Sequence, residues 1–100
     1  IKGTVIKFDG SSLRVPHMGW NNITVINDRY FKGLSDADFY FIHSYHFVPE
    51  DKQVISATVN YGTDVVASIQ KDNIFATQFH PEKSQAYGIA TLARFLEWNP

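Results

Sequence analysis

Ile74-Phe75-Ala76-Thr77-Gln78-Phe79-His80-Pro81-Glu82-Lys83-Ser84 is the stretch from which the fold is read. Its first half is apolar and strand-like. Pro81 fixes its own φ and forbids regular continuation of the strand. His80 and Glu82, on either side of it, can then turn toward one pocket. An imidazole titrates near neutrality and can serve as a base. A carboxylate accepting the proton of its other ring nitrogen would fix the tautomer. The competing reading is bland: a histidine ending a strand, and a glutamate near a helix N-terminus, where negative charge is favoured. Spacing alone leaves both open.

The segment on the C-terminal side of this stretch has helical spacing. Ser84 can cap a helix running to about Glu97. Ile89, Leu92, Ala93 and Leu96 fall at i, i+3, i+4 and i+7, which makes one apolar face. Gly88 costs such a helix roughly 1 kcal/mol relative to alanine, so it marks close packing.

The N-terminal side reads as short strands. Residues 54–60 and 64–70 form a hairpin around Tyr61-Gly62-Thr63, and Asp72-Asn73 turns the chain into Ile74. The run 39–47 is almost continuously aromatic or apolar at first, which predicts a strand buried on both faces in mid-sheet. Thr4-Val5-Ile6-Lys7-Phe8 predicts a strand ending at the turn cluster Asp9-Gly10-Ser11-Ser12. Leu13-Arg14-Val15 is a second extended piece, and Asn22-Ile23-Thr24-Val25-Ile26 a third. Residues 30–34 suggest a helical turn. Val15-Pro16-His17-Met18-Gly19-Trp20-Asn21 reads as a structured loop, either a plug over the core or a partner-facing surface.

Composition bounds the rest. The chain has 100 residues, 44% of them hydrophobic and 15% aromatic, which fits a globular fold and argues against disorder. The net charge of −1 carries no basic stripe, so no nucleic acid is expected as a partner. No apolar run approaches the roughly 20 residues that cross a bilayer, so no membrane partner is expected. Ile1-Lys2-Gly3-Thr4-Val5-Ile6 is not a signal peptide, and the lack of an initiator methionine suggests a start inside a longer protein.

His43-Ser44-Tyr45-His46 adds imidazoles that, with His80 and Glu82, raise the question of zinc. Alternation along a strand should point His43 and His46 to opposite faces. There is no cysteine and no H-x-x-x-H helix, so no metal is expected. Ser44 and Tyr45 instead end a core strand and line a cleft, where ligands sit in α/β sheets.

Taken in order, Val-Pro-His-Met-Gly-Trp-Asn, Phe-Ile-His-Ser-Tyr and Gln-Phe-His-Pro-Glu-Lys-Ser resemble the glutaminase subunits of imidazole glycerol phosphate synthase. Those are class I, triad-type glutamine amidotransferases of histidine biosynthesis. The likeness runs from Gly3 to Trp98. It implies an α/β fold: the C-terminal half of a class I glutamine amidotransferase domain, a mixed sheet with a β-hairpin and a C-terminal helix. Residues 1–100 would then be a partial domain.

The resemblance also implies roles. His80 matches the triad base and Glu82 its orienter. Ser44 and Tyr45 match positions that hold the backbone of glutamine. Lys83 matches the mouth toward the synthase partner, and Trp20, Asn21 and Tyr40 the contact face through which ammonia passes. The implied partner is a (β/α)8 cyclase, the implied location cytoplasmic, and no cofactor is called for.

The family's cysteine nucleophile, on its Gly-rich strand-to-helix elbow, has no counterpart here. The chain alone is therefore expected to be inactive, and to self-associate because half a sheet leaves an edge and an apolar face uncovered. Two alternatives stand beside this reading. One is a non-catalytic pseudo-amidotransferase that binds the partner. The other is a relative that supplies ammonia for surface-sugar amidination.

Overall fold

Alternation of inward and outward side chains builds the main sheet of the computed structural model, which describes residues 1–10, 14–34 and 37–97. The elements are β1 (Gly3–Lys7), β2 (His17–Val25), β3 (Asp38–His43), β4 (Tyr45–Pro49), β5 (Ile55–Asn60), β6 (Asp64–Lys71), β7 (Ile74–Thr77) and α1 (Gln85–Glu97). Single 3-10 turns at Lys52–Val54 and Pro81–Lys83 join β4 to β5 and β7 to α1. Five strands form one sheet in the order β3-β2-β5-β6-β7, and β1 pairs with β4 in a separate ribbon. Every strand pair among the described residues is antiparallel.

The expected hairpin is β5–β6, with Gly62 at φ +78° in its turn. Where a helical turn is expected at 30–34, residues 29–33 form turns without a helix. Ser11, Ser12, Leu13 and Trp98, which carried expectations above, lie outside the described residues.

Three expectations change. First, Arg14 and Val15 are not a strand, whereas the segment read as a loop, His17 to Asn21, is the first half of β2. Proline and glycine suggested a break, but Pro16 precedes the strand and Gly19 stays in it at φ +128°. Second, the run 39–47 is not one central strand. Ser44 bends it into β3 and β4, which go to different sheets, and β3 lies at a sheet edge. Phe39 and Phe41 point into the core while Asp38 and Ile42 are exposed, so β3 buries one face. With the chain bent at Ser44, His43 and His46 both reach the ring of Phe8, at 5.1 and 4.9 Å between centroids, instead of pointing apart.

Third, the predicted apolar face of α1 looks outward: Ile89, Leu92 and Leu96 are 67%, 41% and 81% exposed. The packed face carries Gly88 and Thr91, both buried, and Phe95, whose ring meets Tyr30 and Phe75. Small residues win there because the helix lies against backbone. A Cβ on Gly88 would fall 1.9 Å from the Pro81 carbonyl oxygen, so the close packing read from this glycine is present.

The core joins both sheet and turns through Ile23, Phe31, Phe39, Phe41, Val59 and Phe79. Phe79 is the link to the site, since it is 2% exposed and the next residue is His80.

Candidate active site

The main chain of His80 is held from three directions. The Phe79 ring before it packs 4.3 Å from Phe39 and 5.9 Å from Phe41. The His80 N–H donates to the Tyr40 carbonyl at 2.9 Å. The hydroxyl of Ser84, fully buried, donates to the His80 carbonyl at 2.7 Å and accepts the Tyr40 N–H at 2.9 Å. One residue of β3 and one hydroxyl thus fix the backbone of the candidate base. Buried groups so paired resist displacement, because moving them would strand donors and acceptors away from water.

Sequence reading gave Ser84 only as a helix cap. Its carbonyl does accept the Gly88 N–H, at 3.3 Å, but its hydroxyl serves His80 instead. A serine that can cap a helix carries no sequence signal for this second use.

The His80 ring reaches Glu82 across Pro81. Its Nδ1 lies 2.7 Å from Glu82 Oε1. An ionised carboxylate can only accept, so Nδ1 carries the proton and Nε2 presents a lone pair. That is the tautomer a general base requires. The Glu82 carboxyl is held below the usual carboxylate range, first by its own backbone N–H and then by the His80 side chain. It is therefore ionised at neutral pH, and its grip on His80 is lost only as pH falls through that lowered value. The imidazole is 37% exposed, which leaves it open to a reacting group.

The other sequence-predicted residues fall into two places. Trp20 pairs with Tyr40 across β2 and β3, the rings 5.7 Å apart edge to face. Trp20 and Met18 are 48% and 57% exposed, so this face of β2 is apolar and open. Tyr40 therefore shows its side chain to Trp20 and its backbone to His80. Lys83 is exposed, and its N–H donates to the His80 carbonyl at 3.0 Å.

Asn21 lies on the opposite face of β2 from Trp20, because neighbours on a strand alternate. Its side chain amide meets His17 Nε2 at 2.8 Å. Ser44 stands at the bend, its carbonyl accepting the Phe8 N–H at 2.9 Å. Tyr45 comes next, 52% exposed, with its carbonyl 2.8 Å from His43 Nδ1. His80 also lies close enough to His43 to help depress the latter's pKa, behind burial as the main cause.

His17 had no assigned role from sequence. It is 2% exposed, stacked between Phe41 at 4.9 Å and Tyr61 at 4.0 Å. Burial, and then the neighbouring His43, lower its pKa from 6.5 to about 4. A histidine kept neutral when folded but protonated when unfolded favours unfolding as pH drops. Its contribution is complete above 6.5 and falls away toward 4. The expected loss over that window is about 3 kcal/mol. Urea midpoints measured from pH 7.5 to 4.5 should decline accordingly, and His17→Phe should flatten the decline. An equally steep decline in that variant would assign the acid sensitivity to other groups.

Among the described residues no helix is long and apolar enough to cross a membrane. Compared with known proteins, residues 3–97 match the family model of glutamine amidotransferase class-I. The chain is 49% identical over 102 residues to the imidazole glycerol phosphate synthase subunit HisH of Zymomonas mobilis, covering 100% of this chain and 47% of that protein. The protein of the same name from Pelagibacter ubique is 45% identical, with 96% and 48% covered. That of Geobacter sulfurreducens is 48% identical, with 97% and 50% covered. The chain thus spans about half the length of these curated relatives. A solved Thermoplasma acidophilum protein, assigned as one of the subunits of GMP synthase, superposes with a TM-score of 0.71 over 94% of this chain and 47% of that one. At 23% identity it supports the fold alone. With the His-Pro-Glu turn, the β-hairpin and the C-terminal helix in place, the chain belongs to the glutamine amidotransferase class-I family.

Proposed function

We propose that residues 1–100 are the base-bearing C-terminal half of a glutaminase that supplies ammonia to a (β/α)8 cyclase partner in histidine biosynthesis, in the cytoplasm. The observation that carries the reading is the 2.7 Å contact of His80 with Glu82. It leaves His80 Nε2 as the acceptor of a thiol proton. The nucleophile comes from polypeptide outside these residues, since the chain has no cysteine. Its thiolate attacks the side-chain amide of glutamine. His80 then passes the proton to the departing ammonia, and water releases glutamate from the thioester. Glu82 keeps the ring in register through both transfers.

Ser44 and Tyr45 are assigned to hold the glutamine backbone, at the bend after β3. Trp20 and Tyr40, with Lys83 near the His80 turn, are assigned to the cyclase-facing surface, and Asn21 supports that strand from its inner side. The shared description of the relatives favours histidine synthesis over surface-sugar amidination. The ordered His80–Glu82 pair favours an enzyme over a binding module, which would have no use for a tautomer-fixed base.

The test is a steady-state glutaminase assay. The complete glutaminase that carries this segment, with its cyclase partner, should hydrolyse glutamine, whereas the 100-residue chain should not. Turnover by the short chain near that of the complete protein would overturn the need for a second half. No turnover by the complete protein would overturn the reading itself. Trp20→Ala should weaken cyclase binding by about 2 kcal/mol, as loss of an aromatic anchor does. Unchanged affinity in a titration would remove Trp20 from the interface. The short chain alone is expected to self-associate through the outward stripe of Ile89, Leu92 and Leu96 on α1.

A further inference from the structure

Two histidines outside the His80–Glu82 pair form a hydrogen-bonded chain whose direction is forced. It runs from Asn21 through His17 Nε2 and Nδ1 to His43 Nε2, and from His43 Nδ1 to the Tyr45 carbonyl, with each contact at 2.8 Å. The far end settles the order. A carbonyl oxygen only accepts, so His43 Nδ1 carries a proton. Neutral His43 then has a bare Nε2, which requires a proton on His17 Nδ1. Neutral His17 in turn has a bare Nε2, which requires the amide NH2 of Asn21 to face it. No link can be reversed alone without setting two lone pairs or two protons against each other.

We infer that His17 is a positioning residue for glutamine, fixing through His43 the carbonyl of Tyr45 and hence the bend at Ser44. The inference rests on the assignment of Ser44 and Tyr45 to glutamine binding. Placement supports it. Asn21 and His17 lie on β2, whose outer face carries Trp20, and His17 sits opposite His43 in the β2–β3 register. His17 is clamped between Phe41 and Tyr61, so its ring cannot swing to another partner. His43 rests on Phe8, whose N–H holds the Ser44 carbonyl. The strand that carries the Trp20 surface thereby sets the shape of the Ser44–Tyr45 bend. At His43, burial is the main force favouring the neutral ring, and His46 and His80, cationic when protonated, add to it against the Tyr45 carbonyl, which favours the charged form; His43 in turn favours neutral His17. Both rings are lowered from their ordinary pKa, which keeps the chain in the neutral arrangement at pH 7.

The test uses the complete glutaminase with its cyclase partner. His17→Phe keeps the stacked ring and removes the donor. His17→Asn returns an amide N–H to the place of Nδ1. The first should raise KM for glutamine about tenfold, as lost ground-state binding does, with ammonia-dependent kcat unchanged. The second should bring KM back to within about threefold of the parent. Nitrogen-15 spectra of the parent should show both His17 and His43 protonated at Nδ1, and His17→Phe should erode that state at His43. An Nε2-protonated His43 in the parent overturns the inference. So does an unmoved KM in His17→Phe, or a His17→Asn variant as impaired as His17→Phe, which would mean packing alone. If His17→Phe does not fold, Asn21→Ala removes the outermost donor and should mix the His17 tautomers and raise KM in the same direction. If the parent has no glutamine turnover, glutamine fails as the substrate, while the spectra still decide whether His17 sets the His43 tautomer.

Discussion

His80→Ala is expected to lower glutamine-dependent synthesis by about four orders of magnitude or more in the complete enzyme. Synthesis from free ammonia should be spared, because ammonia added directly enters after the step proposed for this imidazole. The geometry around the ring is the reason. Glu82 takes Nδ1, so Nε2 is the one acceptor the ring offers, and alanine leaves none. The backbone contacts of residue 80 with Tyr40 and Ser84 do not involve the imidazole, so the turn should survive the substitution. Loss of both activities would show that His80 holds the complex together. Retention of glutamine-dependent synthesis would give the base to another residue.

Gly88→Ala should also be damaging, through packing, though by less than loss of the base. The new Cβ would lie 1.9, 2.8 and 3.0 Å from the oxygen, carbon and Cα of Pro81. All three are backbone atoms, so no side chain can rotate away. Alanine favours the helix by about 1 kcal/mol, but overpacking of this kind costs about 3 kcal/mol, and overpacking wins. Relief comes by pushing the Pro81–Lys83 turn off α1, which carries His80 with it. A shift of about 1 Å at the proposed base is enough for a hundredfold loss of turnover. Thermal unfolding and glutamine turnover should therefore fall together. A variant with the stability and rate of the parent would mean that α1 does not sit on Pro81.

The sequence was most readable where one local rule decides. Gly62 in a hairpin turn, Gly88 under a helix and the Pro81 break between His80 and Glu82 each report a backbone demand that only certain residues meet. Readability failed where two rules compete. Pro16 and Gly19 both punctuate, yet pairing of β2 with β3 carries the chain straight through Gly19. The run 39–47 turns polar at His43-Ser44, which marks a strand end but says nothing of the chain crossing there to a second sheet. On α1 the apolar period is real, but it tracks the stripe with most hydrocarbon. The face that meets this chain must come within contact of backbone, so it carries Gly88 and Thr91. The Ser84 tether and the His17–His43 chain were beyond reach for another reason. Their partners lie 44 and 26 residues away, and no spacing rule joins residues so distant.

The β1–β4 ribbon has a consequence of its own. β1 is exposed along its whole length; the ribbon is tied to the main sheet by Phe8, whose ring meets His43 and Tyr61, and by the contact of β4 with β6. Such a ribbon opens on its own, with far less free energy than global unfolding takes. Its amides should trade protons with water well before those of β5 and β6. Phe8 is one latch whose release would help the ribbon peel away while the five-stranded sheet stays shut.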